Sequence, residues 1–275
     1  KNFNSFRDEA TLDLSAAKMT EFSDRVVAVG GEKLLLTAAI YGANASGKSN
    51  VYSAFEYMTK YVINSFKYGD EVKSFEEIRP RPFLFDKNSA QTDTTFEVYF
   101  TVPGDKTEKS YNYGFCIGKK GITEEWMNYK SKTSKKYKAV FYRSEDTLDL
   151  SGIPKASREN ISVALEKQVL IISLGAKLRI AKCKLVRDWF LNNEIIDFGD
   201  PAENFFRSNI LPEGFAESRE VQKNVLKYFA SFDESIQDFN VEELLQDEDK
   251  DTDKKYKIDA LHKMADSEKL ASIPL

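Results

Sequence analysis

Histidine and cysteine are nearly absent from this 275-residue chain, with one His and two Cys. Cys116 and Cys183 stand far apart and form neither a metal-ligand nor a redox spacing. Without a disulfide framework or a signal peptide, a reducing cytosol is the expected compartment. No apolar run reaches the length needed to span a bilayer, so a soluble, cytoplasmic chain with no membrane partner is expected. The lone His262 reads as packed or solvated rather than catalytic. A net charge of −4, from 40 basic and 44 acidic residues, argues against a broad electrostatic grip on nucleic acid. A local basic patch stays open.

What is present is ordinary globular material, 41% hydrophobic and 31% charged. It suffices for one large domain or two lobes. Both ends read as cut, since Lys1 stands where a Met would begin a protein and Ala271 to Leu275 stops without a capping signal. A fragment of a longer protein is therefore expected. Residues 10–15 alternate apolar and polar, as a half-buried strand does. Val26 to Val29 and Leu34 to Ile40 are denser runs around Gly30-Gly31, and the second fits a strand buried on both faces. From Lys48 to about Lys67, Val51, Phe55, Met58, Val62 and Phe66 recur at helical spacing. Residues 96–144 read as an antiparallel sheet of aromatic and β-branched strands. The rest reads as mainly helical, most clearly over residues 178–193 and 218–232. The acidic and basic run at residues 247–254 reads as a solvated loop. Neither an internal repeat nor a sustained heptad is present.

Gly42-Ala43-Asn44-Ala45-Ser46-Gly47-Lys48-Ser49 matches G-x-x-x-x-G-K-[ST]. The glycines allow backbone angles and close approach that a Cβ would block, so N–H groups can turn inward on phosphate oxygens. Lys48 adds a charge for the β- and γ-phosphates, the Ser49 hydroxyl can ligate Mg²⁺, and the helix start adds its positive dipole end. A chance match in this length has a probability of roughly 1% at average composition. The setting also fits, because an apolar run precedes the motif and an amphipathic helix follows it. ATP and Mg²⁺ are the implied cofactors.

Lys1-Asn2-Phe3-Asn4-Ser5-Phe6 together with Tyr41 to Asn50 resembles the start of ABC-type ATPase heads of the RecF, SMC and OLD-like group. The chain is most similar to AAA-type, ABC-related ATPases of bacterial abortive-infection and anti-phage systems. Phe96 to Phe100, Tyr111 to Phe115 and Leu261 to Met264 extend the likeness over nearly the whole chain. The resemblance implies an α/β P-loop NTPase with an antiparallel β-subdomain and a helical lobe, truncated at both ends. Residues 1–150 would be the P-loop lobe with its β-subdomain. Residues 151–275 would be the helical lobe and the start of the second half of the core. It also implies that Asn44 touches the γ-phosphate or the attacking water and that Asn50 follows the Mg²⁺-binding Ser49. Asn4 departs from the basic residue many relatives carry, and Lys177 falls where a Q-loop glutamine is usual.

An apolar strand ending in the Asp or Asp-Glu that hydrolysis needs is not found. Asn193-Glu194-Ile195-Ile196-Asp197 has too short an apolar run and follows an expected helix. In the resembling family the Walker-B acid, the signature segment and the switch histidine come after the stretch matching Leu261 to Met264. These 275 residues alone are thus expected to be inactive. Asp197-Phe198-Gly199 lacks the other kinase signatures and reads as coincidence. The aromatics between residues 96 and 142 read as sheet packing rather than base stacking. Lys130 to Lys138 reads as a solvated hairpin, with a nucleic-acid or partner contact left open. Three functions fit. One is a homodimeric or higher-order switch whose heads sandwich ATP and control a nuclease or toxin effector. The others are a non-hydrolysing nucleotide-binding scaffold and a P-loop phosphotransferase.

Overall fold

A computed structural model describes the chain except residues 18–20, 30, 69–74, 103–106, 108, 135, 209, 233, 245–254, 265, 266, 268 and 275. The charged run at residues 247–254 and the helix-ending Gly69 and Asp70 lie outside the described residues. Two compact units result, Lys1–Ile195 and Ile196–Leu275. The compact boundary falls at 195/196.

The first unit is built on the helix that follows the glycine-rich motif. This helix, α1 (Lys48–Asn64), continues into a 3-10 turn over Ser65–Lys67. Met58, Tyr61 and Val62 are buried on its inner face. That face meets a five-stranded antiparallel meander of β3 (Thr94–Thr101), β4 (Ser110–Gly118), β5 (Gly121–Lys130), β6 (Lys138–Arg143) and β7 (Leu148–Asp149). Phe96, Tyr113, Phe115, Met127 and Phe141 alternate onto the buried face as the two-residue period requires. Tyr57 stacks on Phe96 with centroids 5.2 Å apart, and Tyr61 meets Phe115 at 5.5 Å.

Three helices complete the unit: α2 (Lys155–Ala164), α3 (Ile171–Lys177) and α4 (Ala181–Leu191). The expected helix over 178–193 begins later because Arg179 adopts a left-handed φ of 59° between α3 and α4. From α4, Trp189 and Phe190 pack on Phe55 of α1, each with centroids 6.1 Å away.

Ahead of α1, β1 (Val26–Val29) and β2 (Glu32–Leu35) form a short hairpin. Two expectations are corrected here. Residues 10–15 are exposed and only Ser15 makes an isolated bridge, to Leu34. Residues 36–41 form no strand and are not buried, with Leu36 60%, Ile40 45% and Tyr41 90% exposed. No strand pairs with them among the described residues, so their apolar side chains have nothing to pack beneath.

The second unit holds α5 (Pro201–Ser208), α6 (Arg219–Phe229) and a three-stranded antiparallel sheet. Its strands are β8 (Ile236–Leu244), β9 (Lys255–Lys263) and β10 (Leu270–Pro274), in the order β10-β9-β8. Helix α6 is capped by Ser218, whose hydroxyl accepts from the Val221 N–H. Phe215, Phe239 and Ala260 form the small core, joined by Val221, Val225 and Ile258. The reading of this region as mainly helical is corrected by β8 to β10.

Candidate functional site

Gly42 to Ser49 lead from the irregular residues 36–41 into α1, and the turn depends on missing side chains. A Cβ on Gly42 would lie 2.9 Å from Ser46 Oγ. Gly47 has φ +93°, the left-handed region, and a Cβ there would lie 2.8 Å from Ser5 Oγ. Ala45 is also left-handed, at φ 63°, which costs a non-glycine residue roughly 1 kcal/mol. The loop's shape is thus held at some cost.

Helix α1 opens with no side-chain cap and no acidic residue in its first turn. Its first N–H groups therefore present undiluted positive potential. Lys48 Nζ adds a full charge at the same place, donating to the Gly42 and Ala43 carbonyls at 2.8 and 2.7 Å. Helix end and ammonium meet at a loop that is largely exposed. That is the chemistry of an anion receptor for a phosphate chain. Asn44 is exposed on the turn and Ser49 is exposed on α1. Ser49 can give a hard cation one oxygen ligand. No group of three or more His, Cys, Asp or Glu among the described residues could hold a metal, so Mg²⁺ would lean on phosphate oxygens and water.

The first residues of the chain stand against the end of this loop. Asn2 is buried, with its amide donating to the Ser89 and Thr92 carbonyls at 2.9 and 2.7 Å and accepting from the Phe83 N–H at 3.0 Å. Phe3 sits in the core, edge-on to Phe96. Asn2 and Asn4 both have left-handed backbones, and Phe3 and Phe6 close a tight two-way hydrogen-bonded turn. From that turn Ser5 Oγ accepts from Asn50 Nδ2 at 2.6 Å, and Asn4 Nδ2 donates to Asn50 Oδ1 at 3.4 Å.

Other residues singled out by sequence do not join the loop. Lys177 ends α3 and lies 4.8 Å from the Phe66 ring. Phe66 follows the far end of α1, roughly 27 Å along the axis from Lys48 at helical rise. Lys177 thus stands by the end of α1 opposite the glycine-rich loop. Residues 193–197 form no strand. In the second unit, Asp197 accepts from the Gly199 N–H at 2.8 Å, a local turn leading into α5. His262 lies on β9 with Nδ1 2.9 Å from Ser235 Oγ. Lys130 pairs with Glu32 at 2.5 Å and lies over the Tyr137 ring, anchoring the basic hairpin to the β1–β2 hairpin. Phe96, Phe100, Tyr111, Tyr113 and Phe115 are buried packing, whereas Tyr99 is exposed.

A buried polar cluster escaped the sequence reading. Glu125 on β5 is fully buried and accepts from the Ile171 and Ile172 N–H groups at 2.7 and 3.1 Å. Tyr113 OH donates to it at 3.1 Å, and Arg143 Nε lies 3.7 Å away. Burial pushes the Glu125 carboxyl above the usual range, against the opposing pull of Arg143 and the backbone donors. Its only sequence signal was a carboxylate at an inward position of β5, two residues before Met127.

A family model described as "AAA domain, putative AbiEii toxin, Type IV TA system" matches residues 38–246. That span takes in the glycine-rich loop, the five-stranded sheet and helices α1 to α6. Neither a curated protein nor a solved structure matches the chain.

Proposed function

The chain belongs to this family of P-loop AAA-type ATPases related to abortive-infection systems, and on that premise we propose that it is an ATP-binding head acting as a nucleotide-driven dimerisation switch. The observation that carries the reading is the Lys48 ammonium set at the uncapped start of α1. Lys48 would exchange its two loop carbonyls for β- and γ-phosphate oxygens. The N–H groups of Gly42 to Ser49 would cradle the rest of the chain, with Ser49 on Mg²⁺ and Asn44 facing the γ-phosphate. Because the loop is open to solvent, a second head can close over the bound nucleotide. ATP would then draw two or more copies together, in the manner of the RecF, SMC and OLD-like heads that the sequence resembles. In the cytoplasm that closure would license a nuclease or toxin effector of anti-phage defence. Linkage requires closure to tighten ATP binding by the same factor by which ATP favours closure.

Light scattering across a concentration series in ATP, ADP and no nucleotide tests the switch. Association should be strongest with ATP. Lys48→Ala should weaken nucleotide binding by roughly ten- to a hundredfold, the worth of a charged hydrogen bond, and abolish the ATP-dependent association. An oligomer distribution identical in all three conditions would overturn the switch.

A further inference from the structure

We infer that Asn50 is a positioning residue for the phosphate loop and that Ser5 and Asn4 of the N-terminal turn hold it in place. The inference rests on the nucleotide-binding reading above. It extends the site to a segment more than forty residues away in sequence.

Asn50 is the third residue of α1, immediately after Lys48 and Ser49. Its backbone N–H donates to the Gly47 carbonyl at 3.0 Å, so it belongs to the turn that joins loop to helix. Both ends of its side-chain amide are used on the N-terminal turn. Nδ2 donates to Ser5 Oγ at 2.6 Å and Oδ1 accepts from Asn4 Nδ2 at 3.4 Å. Asn50 therefore acts through the backbone it carries rather than on the phosphates.

The N-terminal turn is firm enough for the task. The buried Asn2 makes three hydrogen bonds to residues 83–92, the Asn4 N–H donates to the Arg81 carbonyl at 3.0 Å, and Phe3 is in the core. Ser5 also packs on Gly47 so closely that a Cβ at position 47 would meet its hydroxyl. The second motif glycine thus serves two ends, a left-handed backbone and room for Ser5. Through these contacts the first turn of α1 is set from outside the motif. The direction in which Lys48 and Ser49 leave the helix follows from that setting. A short displacement of groups that must converge on one anion loses affinity even when every group remains.

Calorimetric titration with Mg–ATP of the chain and of Asn50→Ala, Ser5→Ala and the double variant tests this, with Lys48→Ala as the control. Alanine is a better helix former than asparagine, so Asn50→Ala does not weaken α1 by propensity. Each single variant should bind about three- to tenfold more weakly, the cost of re-ordering this turn around the anion, while its melting temperature changes little because the Asn50–Ser5 bond is exposed to solvent. The double variant should bind no more weakly than the weaker single, as expected of two residues in one interaction. Unchanged affinity in both singles while Lys48→Ala loses binding would overturn the positioning role alone. So would losses that add, or losses that track a fall in melting temperature. Unchanged affinity in Lys48→Ala would overturn the nucleotide site itself.

Discussion

Glu125 is a carboxylate placed where water cannot reach it, and its partners only partly offset that burial. Its two backbone donors come from the start of α3, and Tyr113 supplies a third hydrogen bond. Among the described residues the buried Nη2 of Arg143 has no hydrogen-bond partner, so the ion pair is not fully engaged. A carboxyl whose pKa is raised on folding is better protonated in the native state than in the unfolded one. The unfolded chain then gives up its proton first as pH rises, and stability falls from about pH 4 upward until the folded group has also ionised. Glu125→Gln removes this titration while keeping the shape. Urea midpoints measured from acid to neutral pH should therefore show the variant gaining on the parent as pH rises. A constant difference across that range would mean that Glu125 titrates as an exposed carboxylate does.

At the scale of elements, α3 and α4 meet at Gly175, where an added Cβ would stand 2.5 Å from Cys183 Sγ and 2.9 Å from its Cβ. Cysteine is short and Cys183 is buried, so the sulfur cannot swing aside. Gly175→Ala should destabilise the first unit by about 1–3 kcal/mol, the usual cost of overpacking. Adding Cys183→Ala should return part of that loss, which a double-mutant cycle in urea would measure. Elements of this kind were unevenly legible in the sequence. Helix α1 was clear because Val51, Phe55, Met58 and Val62 repeat at its own period, and β3 to β6 because their aromatics alternate at theirs. The loop of Gly42 to Ser49 was clear because its glycines and lysine are demanded by backbone geometry and charge. Residues 36–41 were misjudged because an apolar run shows what a segment needs to bury, not whether a neighbour is there to bury it. In β8, Phe239 and Val241 carry a two-residue alternation, but the polar residues between them hid it within a stretch read as helical. The N-terminal turn was unreadable for a different reason. Its hydrogen bonds reach residues 46 and 87 positions away, and no local pattern encodes such partners.

For the molecule as a whole, the two units differ most in what holds each together. The first has a core running from Phe3 to Phe190, with aromatic contacts joining α1, α4 and the sheet. The second relies on Phe215, Phe239 and Ala260 with a few half-buried neighbours. Amide protection follows the apolar contact that must be broken to open a segment. Hydrogen exchange should therefore label β8 and β9 well before β4 and β5, and equal protection would show that the small core is propped by more than its own residues. Both tryptophans of the chain, Trp126 on β5 and Trp189 on α4, fall in the first unit. Tryptophan emission consequently arises from the first unit alone, while the second contributes only tyrosines such as Tyr228 and Tyr256, so a melting curve followed by tryptophan fluorescence reports chiefly on the first unit. The same placement makes Trp189 a built-in optical sensor. It lies against Phe55, about two helical turns beyond Lys48. With Trp126 replaced by Phe, a single tryptophan would watch the helix that holds the phosphate loop, and no dye need be attached.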